Sequence, residues 1–290
     1  MYAEYDLDIP DSLEAALAIL ADGGVGNIQP LAGGTNLLID IRAKTIRPER
    51  VVGLDRIDEL RGIKADAGRV SVGSRTTVSD LLHSDLIAAE APSLFESARR
   101  FAGQMVRNAA TIGGNIACGS PAADLVPPLL SLDAEITLSG SAGSRNVALR
   151  DYFLGYKQDV RRADELVTRI RWDRLPGNTV NTFYKLARRQ GDAITITGVA
   201  LTLIVADGRC ETARIALGSV SPTPIRAGGA EAMLTGETLT PELIEEAAAR
   251  AAAECSPIDD VRASAAYRRH TVETLTRRLL LQAWNKLARG

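Results

Sequence analysis

Ala32-Gly33-Gly34-Thr35-Asn36 and Thr111-Ile112-Gly113-Gly114-Asn115 are the two stretches on which the reading of this chain turns. Each has the form small–Gly–Gly–polar with an Asn behind the glycines, and each follows an apolar run. Paired glycines let the backbone turn tightly and approach a ligand closely, because no Cβ stands in the way. Amides left free in such a turn make a concave anion site, and a helix opening just beyond adds its positive end. One Gly-Gly turn is a weak signal. Two of them read as two jaws on one diphosphate, which points to a dinucleotide.

The rest of the chain narrows the choices. Its 290 residues are 46% hydrophobic and 24% charged, the composition of a globular protein with a sizeable core. The formal charge is −2, and no basic stripe with interleaved aromatics appears, so nucleic acid is not an expected partner. Met1 to Pro10 carries Glu4, Asp6 and Asp8 and no apolar run, unlike a signal peptide. Val199 to Ala206 is too short an apolar run to span a bilayer, and a cytoplasmic protein is expected. Cys118, Cys210 and Cys255 are scattered, with no CxxC and no Cys/His cluster, so no metal site is expected in this chain. Of the three, only Cys118 lies beside a glycine loop. His83 and His270 are the only histidines and neither neighbours a glycine motif, so no catalytic triad is expected.

Local patterns give a coarse map. Asp11, with Glu14 three residues on, caps a helix from Leu13 to about Ala21 that Gly23, Gly24 and Gly26 end. Asn27–Leu31 reads as a strand, Leu37–Ile41 as the start of a helix that Pro48 closes, and Val51–Leu54 as a strand. The first 55 residues thus read αβαβ around a small parallel sheet. Arg69–Ser74, Asp133–Leu138 and Leu166–Trp172 read as strands. Thr77 and Asp80 open a helix through Leu86, and Ser93–Met105 reads as another. Asp124 is placed to cap a helix at Leu125-Val126. Pro176-Gly177-Asn178 is the best boundary in the chain. Beyond it Thr182–Leu186, Val199–Val205 and Arg214–Gly218 read as antiparallel strands, the last two joined at Asp207-Gly208. Thr240-Pro241 starts one helix. A last helix, from about Ala265, carries Val272, Leu275, Leu279, Ala283 and Leu287 at helical spacing.

Phe101-Ala102-Gly103, Thr111 to Ile116 and Ser120-Pro121-Ala122-Ala123-Asp124, together with Leu31 to Leu38, Val51-Val52-Gly53-Leu54, Phe183-Tyr184-Lys185-Leu186 and Arg188-Arg189, resemble the FAD-binding medium subunit of the molybdenum hydroxylases, the family of xanthine dehydrogenase, carbon monoxide dehydrogenase and the N-heterocycle dehydrogenases. The resemblance covers essentially the whole chain. It implies an α+β fold: a PCMH-type, vanillyl-alcohol-oxidase-like FAD-binding domain over 1–175, made of two α/β subdomains of about 1–55 and 56–175. A C-terminal domain over 178–290 would follow, with a three-stranded antiparallel sheet and a helical bundle. It further implies FAD held non-covalently, with Ala32, Gly33, Gly34, Thr35, Asn36, Thr111, Ile112, Gly113, Gly114 and Asn115 around the pyrophosphate. Phe101 would pack near the cofactor, Asp124 would bind its sugar portion, and Val167 and Lys185 would lie by the flavin ring. The competing readings of these two are a helix cap for Asp124 and a surface charge for Lys185. No catalytic residue is expected in this chain.

The implied function is electron transfer. A large chain would carry the molybdenum cofactor and a small chain two [2Fe–2S] clusters. Electrons would pass through this FAD to an external acceptor, in a dimer of heterotrimers. Two departures bear on this. Gln190-Gly191-Asp192-Ala193-Ile194 lacks the Tyr that some carbon monoxide dehydrogenase-like members carry there, and there is no four-cysteine insertion of the 4-hydroxybenzoyl-CoA reductase type. The competing readings are a self-contained FAD-dependent oxidase, with Cys118 as its one nearby tether, and a non-redox dinucleotide-binding regulator.

Overall fold

Five short elements open the computed structural model, which describes residues 4–22, 28–66, 68–189 and 192–287. They are β1 (Asp6–Asp8), α1 (Leu13–Asp22), β2 (Ile28–Leu31), α2 (Leu37–Arg42) and β3 (Arg50–Gly53). β3 pairs in parallel with both other strands, in the order β1-β3-β2. β1 escapes the sequence reading because two of its three residues are acidic and none is buried. Arg50 holds it by a bidentate pair with Asp8. α1 buries Ala16 and Leu20 against Val52, Leu54, Ile57 and Leu60. Ser12 is its cap rather than Asp11: the Ala15 amide donates to Ser12 Oγ at 3.1 Å. The glycines expected to end α1 lie outside the described residues.

The second unit is an antiparallel sheet facing short helices. β4 (Ile63–Asp66) and β5 (Arg69–Gly73) lead into α3 (Val78–Leu82), α4 (Asp85–Glu90), α5 (Pro92–Arg99), α6 (Gln104–Ala109), α7 (Ile112–Ala117) and α8 (Val126–Ser131). β6 (Glu135–Gly140), β7 (Gly143–Ala148), the small hairpin of β8 (Phe153–Gly155) and β9 (Gln158–Asp159), and β10 (Leu166–Asp173) follow. The large sheet has the order β4-β5-β10-β6-β7. Trp172, Tyr152, Ile112, Leu129 and Ile136 are the heavy side chains of its core. Thr77 and Asp80 form the full capping box of α3, but that helix stops before His83 and restarts under a Ser84 cap. The helix expected over 93–105 is also broken. α5 ends at Arg99, Ala102 takes a left-handed φ of 33°, and Arg107 Nη1 donates at 2.9 Å to the Phe101 and Ala102 carbonyls.

The third unit holds β11 (Thr179–Ala187), β12 (Thr195–Ala206), β13 (Arg209–Gly218) and the two-residue β14 (Ile225–Arg226), antiparallel and in that spatial order. The expected three-stranded sheet thus gains a short fourth strand. Asp207 and Gly208, with φ of 50° and 75°, make the tight turn between β12 and β13. α9 (Gly228–Leu234), α10 (Pro241–Ala253) and α11 (Ala265–Leu287) cover one face. α10 starts as its sequence predicts, with Pro241 first and the Leu243 amide donating to Thr240 Oγ1. α5 and α8 cover the other face, so β12 is buried on both sides. Val199, Leu201 and Leu203 join the helical core while Ala200 meets Phe183 and Ala216 in the core of the second unit.

Candidate functional site

A cleft of about 670 Å³ lies between the three units, lined by residues from 29 to 194. The first glycine loop forms one wall. It leaves β2 at Ala32 and ends at Asn36, ahead of α2. A Cβ on Gly33 would stand 1.8 Å from the Ala109 carbonyl oxygen, so only glycine lets this loop press onto the chain entering the second one. Gly34 has a φ of 68°, which glycine adopts without strain. Among the described residues the amides of Gly33, Gly34, Thr35 and Asn36 donate to no protein group. Four free donors in one turn are an anion cradle.

The second loop is built differently. Thr111 caps α7, so Gly113 and Gly114 form the helix's first turn rather than an open loop. The Ile112 amide donates to Thr76 O, Gly113 to Ser74 O at 2.8 Å, and Gly114 to Thr111 Oγ1 at 3.1 Å. Free amides were expected in both jaws; the second jaw spends these three internally because each meets a nearer acceptor. The two glycines also differ. A Cβ on Gly113 would lie 2.6 Å from the Ser74 Cβ, so this glycine serves packing. A Cβ on Gly114 would meet only Thr111 Oγ1, and its other side is open to the cleft. Ile112 is fully buried and does not line the cleft. Asn115 lines it, and its Oδ1 accepts from the Leu125 amide at 3.1 Å, tying the glycine turn to the segment that carries Asp124.

The third wall joins distant residues. Lys185 Nζ reaches Asp124 Oδ2 at 2.6 Å and the Arg100 carbonyl at 3.2 Å. Thr195 Oγ1 donates to the other Asp124 oxygen. All three are largely buried. Burial pushes the Asp124 carboxyl up from its ordinary value, and Lys185 and Thr195 pull it back. Asp124 is therefore no helix cap, since α8 starts at Val126 with no side-chain cap, and Lys185 is no surface charge. Phe101 and Val167 line the same cleft, as does the segment from Asp192 to Ile194; Gln190 and Gly191 lie outside the described residues.

Sequence reading missed Arg75, Lys157, Arg161 and Thr195. Arg75 lines the cleft and donates to the Asp55 carbonyl at 2.6 Å and to Asp55 Oδ1 at 2.9 Å, linking the first unit to the second. Burial lowers its pKa from the usual arginine value, and Arg61 adds to the shift. No periodicity or spacing marks such residues; only the fold brings them to the cleft. Cys118 also lines it, with its thiol pushed up by burial. Among the described residues no group of His, Cys, Asp and Glu could hold a metal ion, and no helix is long and apolar enough to cross a membrane.

The cleft fits FAD on its own terms. Its volume is within the roughly 300–1,000 Å³ of cofactor pockets, four free amides suit a diphosphate, and Gly114 lines the cleft opposite them. Residues 3–172 match the family model described as the FAD-binding domain in molybdopterin dehydrogenase, and residues 182–283 that of the CO dehydrogenase flavoprotein C-terminal domain. The chain belongs to the FAD-binding medium-chain family of the molybdenum hydroxylases. This flavoprotein subunit is 33% identical over 284 residues to the carbon monoxide dehydrogenase medium chain of Hydrogenophaga pseudoflava, covering 98% of each chain. It is 30% identical to the xanthine dehydrogenase FAD-binding subunit of Escherichia coli O157:H7, covering 94% of this chain and 93% of that one. A solved structure of carbon monoxide dehydrogenase from Hydrogenophaga pseudoflava superposes with a TM-score of 0.94 at 34% identity, covering 98% of this chain and 99% of that one. The flavoprotein is thus an oxidoreductase subunit with the PCMH-type fold plus its C-terminal domain.

Proposed function

We propose that this chain carries electrons between partners. It would take them from the [2Fe–2S] clusters of a small chain, fed by a molybdenum cofactor in a large chain, and deliver them through FAD to an external acceptor. The observation that carries this reading is the cleft itself, which has a diphosphate cradle at one wall and a buried ammonium–carboxylate pair at another. Bound FAD supplies one- and two-electron redox chemistry, and the protein supplies binding, orientation and electrostatics. The amides of Gly33 to Asn36 would hold the pyrophosphate, with Gly114, Thr111 and Asn115 as the second jaw. Phe101, Val167 and Ala32 give the cleft apolar wall. Lys185, paired with Asp124, would face the flavin end. Gly113 and Ile112 support the jaw from behind. Residues 1–175 form the FAD-binding domain and 178–290 the C-terminal domain, which brings Lys185 to the cleft. The complex would be a cytoplasmic dimer of heterotrimers.

Acid precipitation of the purified complex tests the cofactor part: non-covalent FAD goes to the supernatant. Flavin left on the pellet would support the self-contained oxidase, with Cys118 as the tether; a colourless complex would support the regulator. Anaerobic addition of substrate to the full complex tests the electron route, and the flavin absorbance should bleach. A chain that oxidises substrate without its partners would overturn the electron-transfer reading.

A further inference from the structure

Arg268, in the first turn of α11, does not touch the cleft, yet its contacts converge on the segment carrying Asp124. Its side chain is 4% exposed. Nη1 donates to the Ile196 carbonyl at 2.6 Å and the Ser219 carbonyl at 2.8 Å, and Nη2 donates to Asp260 Oδ1 at 2.8 Å. Both carbonyls belong to chain that grips residues 121–124. Thr195, next to Ile196, holds Asp124 Oδ1, and the Ser219 amide donates to the Pro121 carbonyl at 2.8 Å. Ser219 sits at a φ of 64°, an uncommon backbone state for a residue other than glycine. Such a state persists where surrounding contacts over-determine it, and here the amide and carbonyl of one residue are both claimed.

We propose that Arg268 is the positioning residue of the cleft wall. One guanidinium fixes the start of β12 and the exit of β13 on either side of the 121–124 segment, and so sets where Asp124 and Lys185 stand. This rests on the reading of the cleft as the FAD site. A lysine cannot replace it, because one ammonium nitrogen does not reach three acceptors arranged around a planar fork. The role is separable from helix docking. α11 has a second tie, Thr271 Oγ1 to Thr197 Oγ1 at 2.7 Å, and Val272, Leu279 and Leu280 anchor it in the core.

The test is a double-mutant cycle in the assembled complex, using Arg268→Met, Thr195→Val and the pair. FAD dissociation constants, the flavin absorption spectrum and thermal unfolding are measured for each. Each single change should weaken FAD binding about tenfold, equivalent to about 1.4 kcal/mol. The pair should bind FAD no worse than the weaker single variant, because both act through Asp124. Arg268→Lys, which keeps the charge and loses the fork, should shift FAD affinity and spectrum in the same direction with a smaller stability loss. Wild-type affinity and spectrum in both Arg268 variants beside an altered Thr195→Val would overturn the role of Arg268, as would additive effects on affinity. If Thr195→Val also leaves the flavin untouched, the placement of FAD beside Asp124 is what fails.

Discussion

The two glycines of the second jaw do different jobs, and substitutions should separate them. Gly114 faces the cleft, so Gly114→Val should lose most of the FAD from a complex that still folds; flavin per protein and circular dichroism check this. Gly113 is pressed on Ser74, so Gly113→Ala should instead cost stability, roughly 1–3 kcal/mol, with flavin lost only as the protein unfolds. Denaturant titration with flavin fluorescence distinguishes the two cases. The buried pair is the other sensitive point. Lys185→Met leaves the Asp124 carboxylate without its cation and should destabilise by about 3–5 kcal/mol. Adding Asp124→Asn should restore part of that loss, since no buried charge then remains. An unrecovered double variant would show that packing, not charge, made Lys185 important.

At the scale of elements, the segment before α11 invites a pH experiment. Burial raises the Asp260 carboxyl, but bonds from the Arg262 and Ala263 amides and from the Arg262 and Arg268 guanidiniums outweigh it and bring the pKa to about 2. A depressed carboxylate stabilises the fold in full above its unfolded value of about 3.9, and that stability is lost as the pH falls through about 2. Asp260→Asn should therefore be clearly less stable than wild type at pH 7, with the gap closing toward pH 2 in urea titrations. The elements themselves were unevenly legible. α10 and α11 announce themselves, one by Thr240-Pro241 and the other by Val272, Leu275, Leu279 and Ala283. β1 does not, because Asp6-Leu7-Asp8 has no apolar face; pairing with β3 and the Arg50–Asp8 contact hold it. The stretch from 93 to 105 reads as one helix, but the chain breaks at a left-handed Ala102, where Arg107 takes the Phe101 and Ala102 carbonyls and Gly103 caps the next helix. The glycine jaws were legible as a pair of loops, whereas the second jaw's amides are satisfied by Ser74, Thr76 and Thr111, and that bonding has no sequence signature. Arg75 and Arg268 were invisible for the same reason: their acceptors lie at Asp55, Ile196 and Ser219.

Taken whole, the molecule divides its labour between a front half that offers a cradle and a back half that closes it. The prediction at this scale concerns the back half. A chain truncated after Asp173 keeps both glycine jaws but loses Lys185 and Thr195, leaving Asp124 unpaired, and should purify without FAD. A truncated chain that loads FAD as the full one does would show the C-terminal domain to be dispensable for binding.

The distance along the chain between the cleft's walls also orders events on the ribosome. Thr195 is made 159 residues after Asn36, which takes about 8–30 s at roughly 5–20 residues per second. Through that interval the nascent chain displays a phosphate cradle whose far wall is incomplete, so a passing nucleotide finds donors there but no enclosure. Cofactor loading becomes a late, nearly post-translational step, and a cell short of FAD would accumulate finished apoprotein rather than stalled chains.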